Sequence, residues 1–193
     1  PRRDHRAQAR LHHRALRDHA APRRVGGGVR ALIVSPTREL AEQTCEVIGQ
    51  LGGKTGLKSV AVYGGMNMEQ QVRALRRGVD ILVATPGRLL DHVSQKTLDL
   101  SAVEILVLDE ADRMLDMGFI RDIRRILALL PQRRQNLLFS ATYNNEIRKL
   151  ADTLLEAPAQ IEVARRNTPT ELVSQVIHPV DRERKRELLS FLV

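Results

Sequence analysis

Residues 104–112 have the sequence EILVLDEAD, in which an apolar run ends directly in acidic residues. The run EILVL at 104–108 predicts a strand inside a sheet, and we expect it to be the most buried strand. Asp109, Glu110 and Asp112 follow where that strand ends. Carboxylates there suit a hard cation such as Mg²⁺, and one can accept a proton from water. The alternative is that they only begin the next helix, where its dipole favours acidic residues.

Apolar runs alternate with helical patterns along most of the chain. Further strands are predicted at 31–35, 59–63, 80–84, 136–139 and 160–163. Helices are predicted at 38–51, 67–77, 87–94, 111–116, 119–130 and 144–155. This alternation predicts an α/β fold with a parallel, doubly wound sheet and helices on both faces. Ligands of such sheets bind at the carboxyl ends of the strands.

The other strand ends carry short motifs that suit phosphate groups. They are PTRELA at 36–41, GG at 64–65, TPGR at 85–88 and SAT at 140–142. Helix N-termini bind anions, and glycine lets a backbone approach a ligand closely. The array suits a phosphodiester backbone beside a nucleotide–metal site. Each motif also has an ordinary role, with Ser and Thr as helix caps and Pro and Gly as turn formers.

Together with DEAD at 109–112, these motifs resemble the motif series of DEAD-box RNA helicases. The stretch VLDEADRMLDMGF at 107–119 most resembles the bacterial RhlE-type branch. The resemblance covers about residues 29–193. It implies a RecA-like first domain that uses ATP and Mg²⁺ and has RNA as its partner.

The resemblance also implies roles for individual residues. Asp109 would hold Mg²⁺ through water, and Glu110 would activate the attacking water. Ser140 and Thr142 would link hydrolysis to domain closure, with Asp112 as their partner. The residues implied to contact the RNA backbone are Pro36, Thr37, Arg38, Gly64, Gly65, Thr85, Pro86, Gly87 and Arg88. For the two arginines in that set, a structural ion pair is the alternative.

The nucleotide half of the motif series is missing from this sequence. No stretch of the chain matches the phosphate loop G-x-x-x-x-G-K-[ST], and the adenine-reading glutamine motif is also absent. The run GQLGGKT at 49–55 has a glycine spacing one residue short and follows the PTRELA helix, so we predict a helix C-terminal turn there. We therefore expect a RecA-like sheet that is incomplete at its N-terminal edge.

Residues 1–30 differ in composition from the rest of the chain. They hold nine Arg and two Asp, a net charge of +7 out of +8 for the whole protein. A disordered or weakly helical solvated tail and a basic RNA-binding arm are two interpretations. A third is a frameshifted segment restored near residues 28–30, because codons for residues 7–11 can encode Gly-Thr-Gly-Lys-Thr in another frame. Because most of the positive charge lies in residues 1–30, the net charge of the chain says little about what the folded part binds.

Composition narrows the class of protein further. The chain has 193 residues and no Trp. It has one cysteine, Cys45, which excludes a disulfide framework and a multi-thiolate metal site within one chain. No apolar run approaches the ~20 residues of a membrane span, and residues 1–30 lack the apolar core of a secretory signal. We expect a soluble, cytoplasmic protein without membrane contact.

The domain organisation follows from these boundaries. We expect a helicase RecA-like domain 1 at 31–164, a linker at 165–174 and the truncated start of RecA-like domain 2 at 175–193. The last segment is predicted to contain a strand at 175–180 and a helix at 182–193.

Three functional hypotheses remain open. The first is that the chain is a fragment of a DEAD-box helicase. The parent protein would couple ATP hydrolysis to RNA binding and local unwinding, whereas the fragment itself would be hydrolysis-deficient. The second is a non-catalytic module that binds the RNA backbone. The third is another P-loop-class ATPase that acts on DNA.

Overall fold

The computed structural model describes residues 28–162 and 178–192. Five strands form one parallel sheet in the order β2-β3-β1-β4-β5, which confirms the predicted α/β class. They are β1 (Ala31–Val34), β2 (Ser59–Val62), β3 (Ile81–Ala84), β4 (Ile105–Leu108) and β5 (Gln135–Leu138). Within the described ranges, β2 and β5 are the two edges of this sheet.

Helices connect the strands. They are α1 (Arg38–Gly52), α2 (Met68–Arg76), α3 (Pro86–Ser94), α4 (Ala111–Asp116), α5 (Ile120–Leu129) and α6 (Asn145–Leu154). Capping residues account for several of their starts. The Thr37 side chain accepts a hydrogen bond from Leu40 N, and the Asn67 side chain accepts from two amides of the first turn of α2. Pro86 opens α3, where its missing N–H has no cost.

The register brings all five strand ends to one edge. Val34 lies opposite Ala84 on one side and opposite Leu108 on the other. Val62 is level with Ala84, and Leu138 is level with Leu108. Because the strands are parallel and in register, the residues that follow them share the carboxyl edge of the sheet.

The core is aliphatic, in keeping with a chain that has no Trp and only 3% aromatic residues. Leu32, Leu82 and Leu106 are fully buried in the sheet, and Met114 and Ile147 pack into the same cluster from the helices. Burial of a side chain of this size contributes about 1.5–3 kcal/mol. Apolar packing between the sheet and the helices therefore helps to hold the short strands in place.

Two expectations about strands are wrong. The strand predicted at 104–108 forms over Ile105–Leu108 and is not the most buried, because Ile105 is 36% exposed whereas β3 has three buried residues. Alternate residues of β4 face a side of the sheet that the described residues cover only in part. The predicted strand at 160–163 is not formed at 160–162, and Val163 lies outside the described residues.

The described residues divide into two units, one that extends to Pro158 and one that begins at Ala159. In the second unit a 3₁₀ turn at Arg182–Arg184 leads into α7 (Lys185–Leu192), which agrees with the predicted helix. Residues 178–180 are not in a strand, and the rest of the predicted strand at 175–180 lies outside the described residues. The predicted linker at 165–174 and residues 1–27 of the basic segment also lie outside the described residues. Over the ranges the structure describes, no helix is long and apolar enough to cross a membrane.

Candidate functional site

The strand order separates the predicted motifs into two groups along the carboxyl edge. The loops after β2, β3 and β1 carry GG, TPGR and PTRELA, and these three strands are adjacent. The loops after β4 and β5 carry DEAD and SAT, and these strands pair with each other. The sheet thus places the predicted RNA-contacting residues on one side and the predicted hydrolysis and coupling residues on the other.

Asp112 and Thr142 are directly joined. One carboxylate oxygen, Oδ2 of Asp112, accepts hydrogen bonds from the backbone N–H of Thr142 at 2.9 Å and from its hydroxyl at 3.0 Å. Ser140 donates its hydroxyl to the Thr142 carbonyl at 2.8 Å. The start of α4 and the loop after β5 therefore form one hydrogen-bonded unit.

The protonation of Asp112 reflects this unit. Burial would raise the pKa of Asp112, but hydrogen bonds from the Thr142 hydroxyl and from the backbone N–H groups of Arg113 and Thr142 outweigh it. Together they hold the pKa of this carboxyl below its ordinary value. Asp112 is therefore charged at neutral pH, and its charge is directed at the SAT loop.

Asp109 has a different environment at the tip of β4. Its Oδ1 accepts a hydrogen bond from Glu110 N at 3.1 Å. Burial raises the pKa of Asp109, and the neighbouring Glu110 charge adds to the effect. A half-buried carboxylate with a raised pKa is one that a cation would stabilise in its charged form.

The residues around Asp109 fit a sparsely ligated Mg²⁺. In the described ranges no group of three His, Cys, Asp or Glu side chains gathers into a metal cage. Mg²⁺ commonly uses one or two carboxylates, several waters and phosphate oxygens, so Asp109 alone is an adequate protein ligand. The sequence has no phosphate loop that would hold nucleotide phosphates beside such a cation.

Glu110 has a strained backbone. Its φ of 49° and ψ of 52° place it in the left-handed region, immediately before α4. Its carboxylate accepts a hydrogen bond from Arg113 Nη1 at 3.1 Å, and both side chains are well exposed. A non-glycine residue in this conformation costs of order 1–2 kcal/mol, and such costs concentrate at functional sites.

Arg38 lies beside the GG turn. Its side chain is 59% exposed, and Nε donates to Glu39 Oε1 at 2.7 Å. A Cβ placed on Gly65, which has a φ of +83°, would lie 3.7 Å from Nη1 of Arg38. The guanidinium therefore faces solvent next to a glycine whose backbone conformation other residues rarely adopt.

Arg88 is held inside the protein. Only 14% of its side chain is exposed, Nε lies 3.8 Å from Asp91 Oδ2, and Nη1 donates to the Met66 carbonyl at 2.9 Å. This geometry agrees with the structural alternative for Arg88. It joins the TPGR helix to the loop that carries GG.

The remaining predicted RNA contacts differ in accessibility. Gly64 and Gly87 are exposed, so their backbone can be approached from solvent, whereas Pro36 and Pro86 are buried. The Thr37 hydroxyl caps α1, and the half-buried Thr85 makes no capping bond from its side chain.

Two buried polar residues behind these loops were missed from the sequence. Gln71 on α2 and His92 on α3 are 1% and 0% exposed and hydrogen-bond each other. The available signal was a polar residue within the apolar stripe of each helix. A polar residue in an apolar stripe does not by itself distinguish a functional role from a structural one, so the pattern did not single out this pair.

The glycine-rich run at 49–55 is the turn predicted for it. Helix α1 ends at Gly52, and both the backbone N–H and the hydroxyl of Thr55 donate to the Gly52 carbonyl at 2.8 and 2.7 Å. The hydrogen bonds close a C-terminal turn and leave no phosphate-binding loop between a strand and a helix.

Comparisons with known proteins agree with the motif series. The model of the DEAD/DEAH box helicase family matches residues 13–150. The DEAD-box ATP-dependent RNA helicase CshA of Streptococcus pneumoniae is 42% identical over 165 residues, which cover 86% of this chain and 32% of that protein. The ATP-dependent RNA helicase CshA of Listeria monocytogenes is 44% identical with the same coverage. The chain thus spans about a third of the length of these relatives.

Solved structures give the same fold. A hypothetical ATP-dependent RNA helicase from Sulfolobus tokodaii has a TM-score of 0.64 at 46% identity, covering 67% of this chain and 39% of that one. The yeast DEAD-box splicing factor Prp28 has a TM-score of 0.67 at 34% identity, covering 74% of this chain and 35% of that one. The predicted RecA-like sheet is thereby confirmed.

Proposed function

The chain belongs to the DEAD/DEAH box helicase family, and on that premise we propose that its sheet edge binds the sugar–phosphate backbone of RNA. We propose further that the complete protein couples ATP binding and hydrolysis to RNA binding and local unwinding. Backbone contacts position a strand but carry no base information, so binding by this edge is expected to be independent of RNA sequence.

The observation that carries this proposal is the adjacency of three strand ends. PTRELA, GG and TPGR follow β1, β2 and β3, which are neighbours in the sheet. Exposed backbone at Gly64 and Gly87 and the exposed guanidinium of Arg38 lie along this edge. Amides, glycines and one cation in a row match the chemistry of successive phosphates.

The other two strand ends carry the proposed hydrolytic residues. Asp109 would hold Mg²⁺ through water, and Glu110 would accept the proton of the attacking water. Bound ATP would supply the phosphoryl group whose transfer to water drives the cycle of RNA binding and release. Thr142 and Ser140, joined to Asp112, would transmit the state of this site to a second RecA-like domain.

We propose that this chain by itself does not hydrolyse ATP at an appreciable rate. Its sequence lacks G-x-x-x-x-G-K-[ST], whose backbone and lysine hold the phosphates in P-loop enzymes. The same feature favours a second candidate function, an RNA-backbone-binding module without catalysis. ATP turnover by the complete protein separates the two, because only a helicase would show RNA-stimulated hydrolysis.

Three finer assignments complete the proposal. The stretch at 107–119 supports the bacterial RhlE-type branch within the family. Residues 175–193 are proposed to begin the second RecA-like domain after a linker at 165–174. A protein that acts on RNA and has one cysteine is proposed to work in the cytoplasm.

A pair of glycine substitutions tests RNA binding at the edge. Gly87→Asp puts a negative charge among the proposed phosphate contacts, and a Cβ there meets nothing within 4 Å. An acid in the first turn of a helix does not destabilise it, so the fold should be retained. We expect Gly87→Asp to weaken binding of a fluorescein-labelled oligouridine about tenfold or more in an anisotropy titration.

Gly49→Asp is the matched control. It makes the same charge change on α1, again with nothing within 4 Å of the new Cβ. We expect it to leave the affinity for oligouridine nearly unchanged. Equal affinities for the two variants would contradict RNA binding at this edge of the sheet.

A further inference from the structure

A buried chain of hydrogen bonds runs from α3 to the residue before the GG turn. His92 is fully buried, and its Nε2 lies 3.0 Å from Gln71 Oε1. Gln71 is also buried, and its Nε2 donates to the Tyr63 carbonyl at 2.9 Å. On the other side of the ring, His92 Nδ1 lies 2.9 Å from Thr97 Oγ1.

The chemistry of these groups fixes the direction of the two hydrogen bonds that the Gln71 side chain makes. A carbonyl only accepts, so the amide NH₂ of Gln71 must face Tyr63 and its oxygen must face His92. An amide oxygen also only accepts, so Nε2 of His92 must carry a proton. Burial lowers the pKa of His92, which favours the neutral ring with its proton on Nε2, while the Thr97 hydroxyl donates to the His92 carbonyl at 3.0 Å.

The GG turn is therefore held from α3 at both ends. Tyr63 precedes Gly64, and its carbonyl is reached from His92 through Gln71. Met66 follows Gly65, and its carbonyl accepts a hydrogen bond from Arg88 at 2.9 Å. Between these anchors the two glycines have no side chains to pack, so their position depends on the anchors.

We propose that Gln71 and His92 are positioning residues that hold the GG turn in a set place relative to the TPGR helix. Neither side chain is accessible, so both act through the backbone of residues 63–66. The consequence for RNA affinity rests on the proposed function, whereas the consequence for the order of the turn does not. A pre-ordered turn lowers the entropy lost when a phosphate backbone binds.

The matched variants are Gln71→Met and Gln70→Met in the full chain. Both lie on α2, but Gln71 is buried in the hydrogen-bond chain and Gln70 has an exposed side chain. Methionine keeps the length of glutamine and removes its hydrogen bonds. A second pair tests the ring: His92→Gln keeps an N–H donor at the position of Nε2, and His92→Leu does not.

The main readout is the NMR order parameter of Gly64 and Gly65. We expect about 0.85 in the wild type, below about 0.6 in Gln71→Met and His92→Leu, and wild-type values in Gln70→Met and His92→Gln. Amides of β1, β3 and β4 should stay rigid in all variants. Low order at both glycines in the wild type, or loss of order across the whole sheet, would overturn the proposal.

Two further measurements keep the outcomes distinct. Imidazole ¹⁵N shifts of the wild type at pH 7.5 should show His92 protonated at Nε2 only, and a ring protonated at Nδ1 only would overturn the proposal without any variant. Oligouridine affinity should fall about fivefold in Gln71→Met, as expected for ordering a loop on binding. If the wild type does not bind oligouridine, RNA binding fails, and the order parameters alone still decide the positioning role.

Discussion

Asp112 accepts two hydrogen bonds from Thr142, from its backbone N–H at 2.9 Å and from its hydroxyl at 3.0 Å. The bonds join residues that follow two neighbouring strands, β4 and β5. Any movement of the loop after β5 must therefore either carry α4 with it or break this pair. The pair is a mechanical connection between the proposed hydrolytic carboxylates and the SAT loop.

A double-mutant cycle should measure this connection. Thr142→Ala removes the hydroxyl, and Asp112→Ala removes both bonds. We expect an interaction free energy of about 1 kcal/mol between the two substitutions in urea denaturation. Strictly additive losses would show that the contact contributes nothing to the stability of the folded chain.

The conformation of Glu110 should make glycine more stable than alanine at this position. Both Glu110→Gly and Glu110→Ala remove the contact with Arg113, but only alanine keeps a Cβ at a φ of 49°. We expect the glycine variant to be more stable by about 1 kcal/mol in chemical denaturation. The usual order, with alanine more stable, would mean that the backbone is not left-handed in solution.

Arg38 and Arg88 should respond differently to truncation. Arg88→Ala should lower the free energy of unfolding by about 1 kcal/mol, because the mostly buried guanidinium donates to the Met66 carbonyl. Arg38→Ala should leave the melting temperature nearly unchanged and weaken oligouridine binding, because its guanidinium is exposed beside Gly65. Melting and anisotropy on both variants check this, and the reverse pattern would exchange the two roles.

Hydrolysis by the chain itself should be very slow. Without a phosphate loop in the sequence, bound nucleotide lacks the groups that orient and neutralise its phosphates. We expect no RNA-stimulated ATP turnover above background in a coupled phosphate-release assay. A rate of ~1 per second or more, an ordinary enzyme rate, would contradict the expectation.

The buried His92 should make stability depend on pH. Burial, with a smaller effect of the Arg88 charge, lowers the pKa of His92 below its ordinary value of 6.5. The unfolded chain then binds a proton that the folded chain does not, so this contribution is present above pH 6.5 and is lost as the pH falls below it. Asp91 opposes the shift and limits its size.

Urea denaturation of the wild type and His92→Gln at pH 7.5 and 5.5 checks this expectation. Other titrating groups are common to both proteins and cancel in the comparison. The wild type should lose more stability than the variant on acidification. Equal losses would mean that His92 titrates alike in the folded and unfolded states.

The sequence by itself determined the five strands of the sheet, several helix starts and the motif series. Apolar runs such as 105–108, Thr37 and Asn67 at caps, and Pro86 at a first helical position are local signals, and the structure follows them. Parallel strands also bring their carboxyl ends to one edge whatever their order. The shared edge of the motifs was therefore predictable from the alternation of strands and helices, whereas the family was predictable from the resemblance of the motif series to DEAD-box helicases.

Only the tertiary structure decided the partners of individual side chains. The order β2-β3-β1-β4-β5 groups the predicted RNA motifs, and no local pattern specifies it. Likewise, Arg88 binds a carbonyl 22 residues away, and Gln71 reaches His92 at a separation of 21 residues. Ile105 is exposed because the described residues cover its side of the sheet only in part, although the apolar run around it predicts burial. Such features depend on packing between elements distant in sequence, and the periodicity within one element carries no information about them.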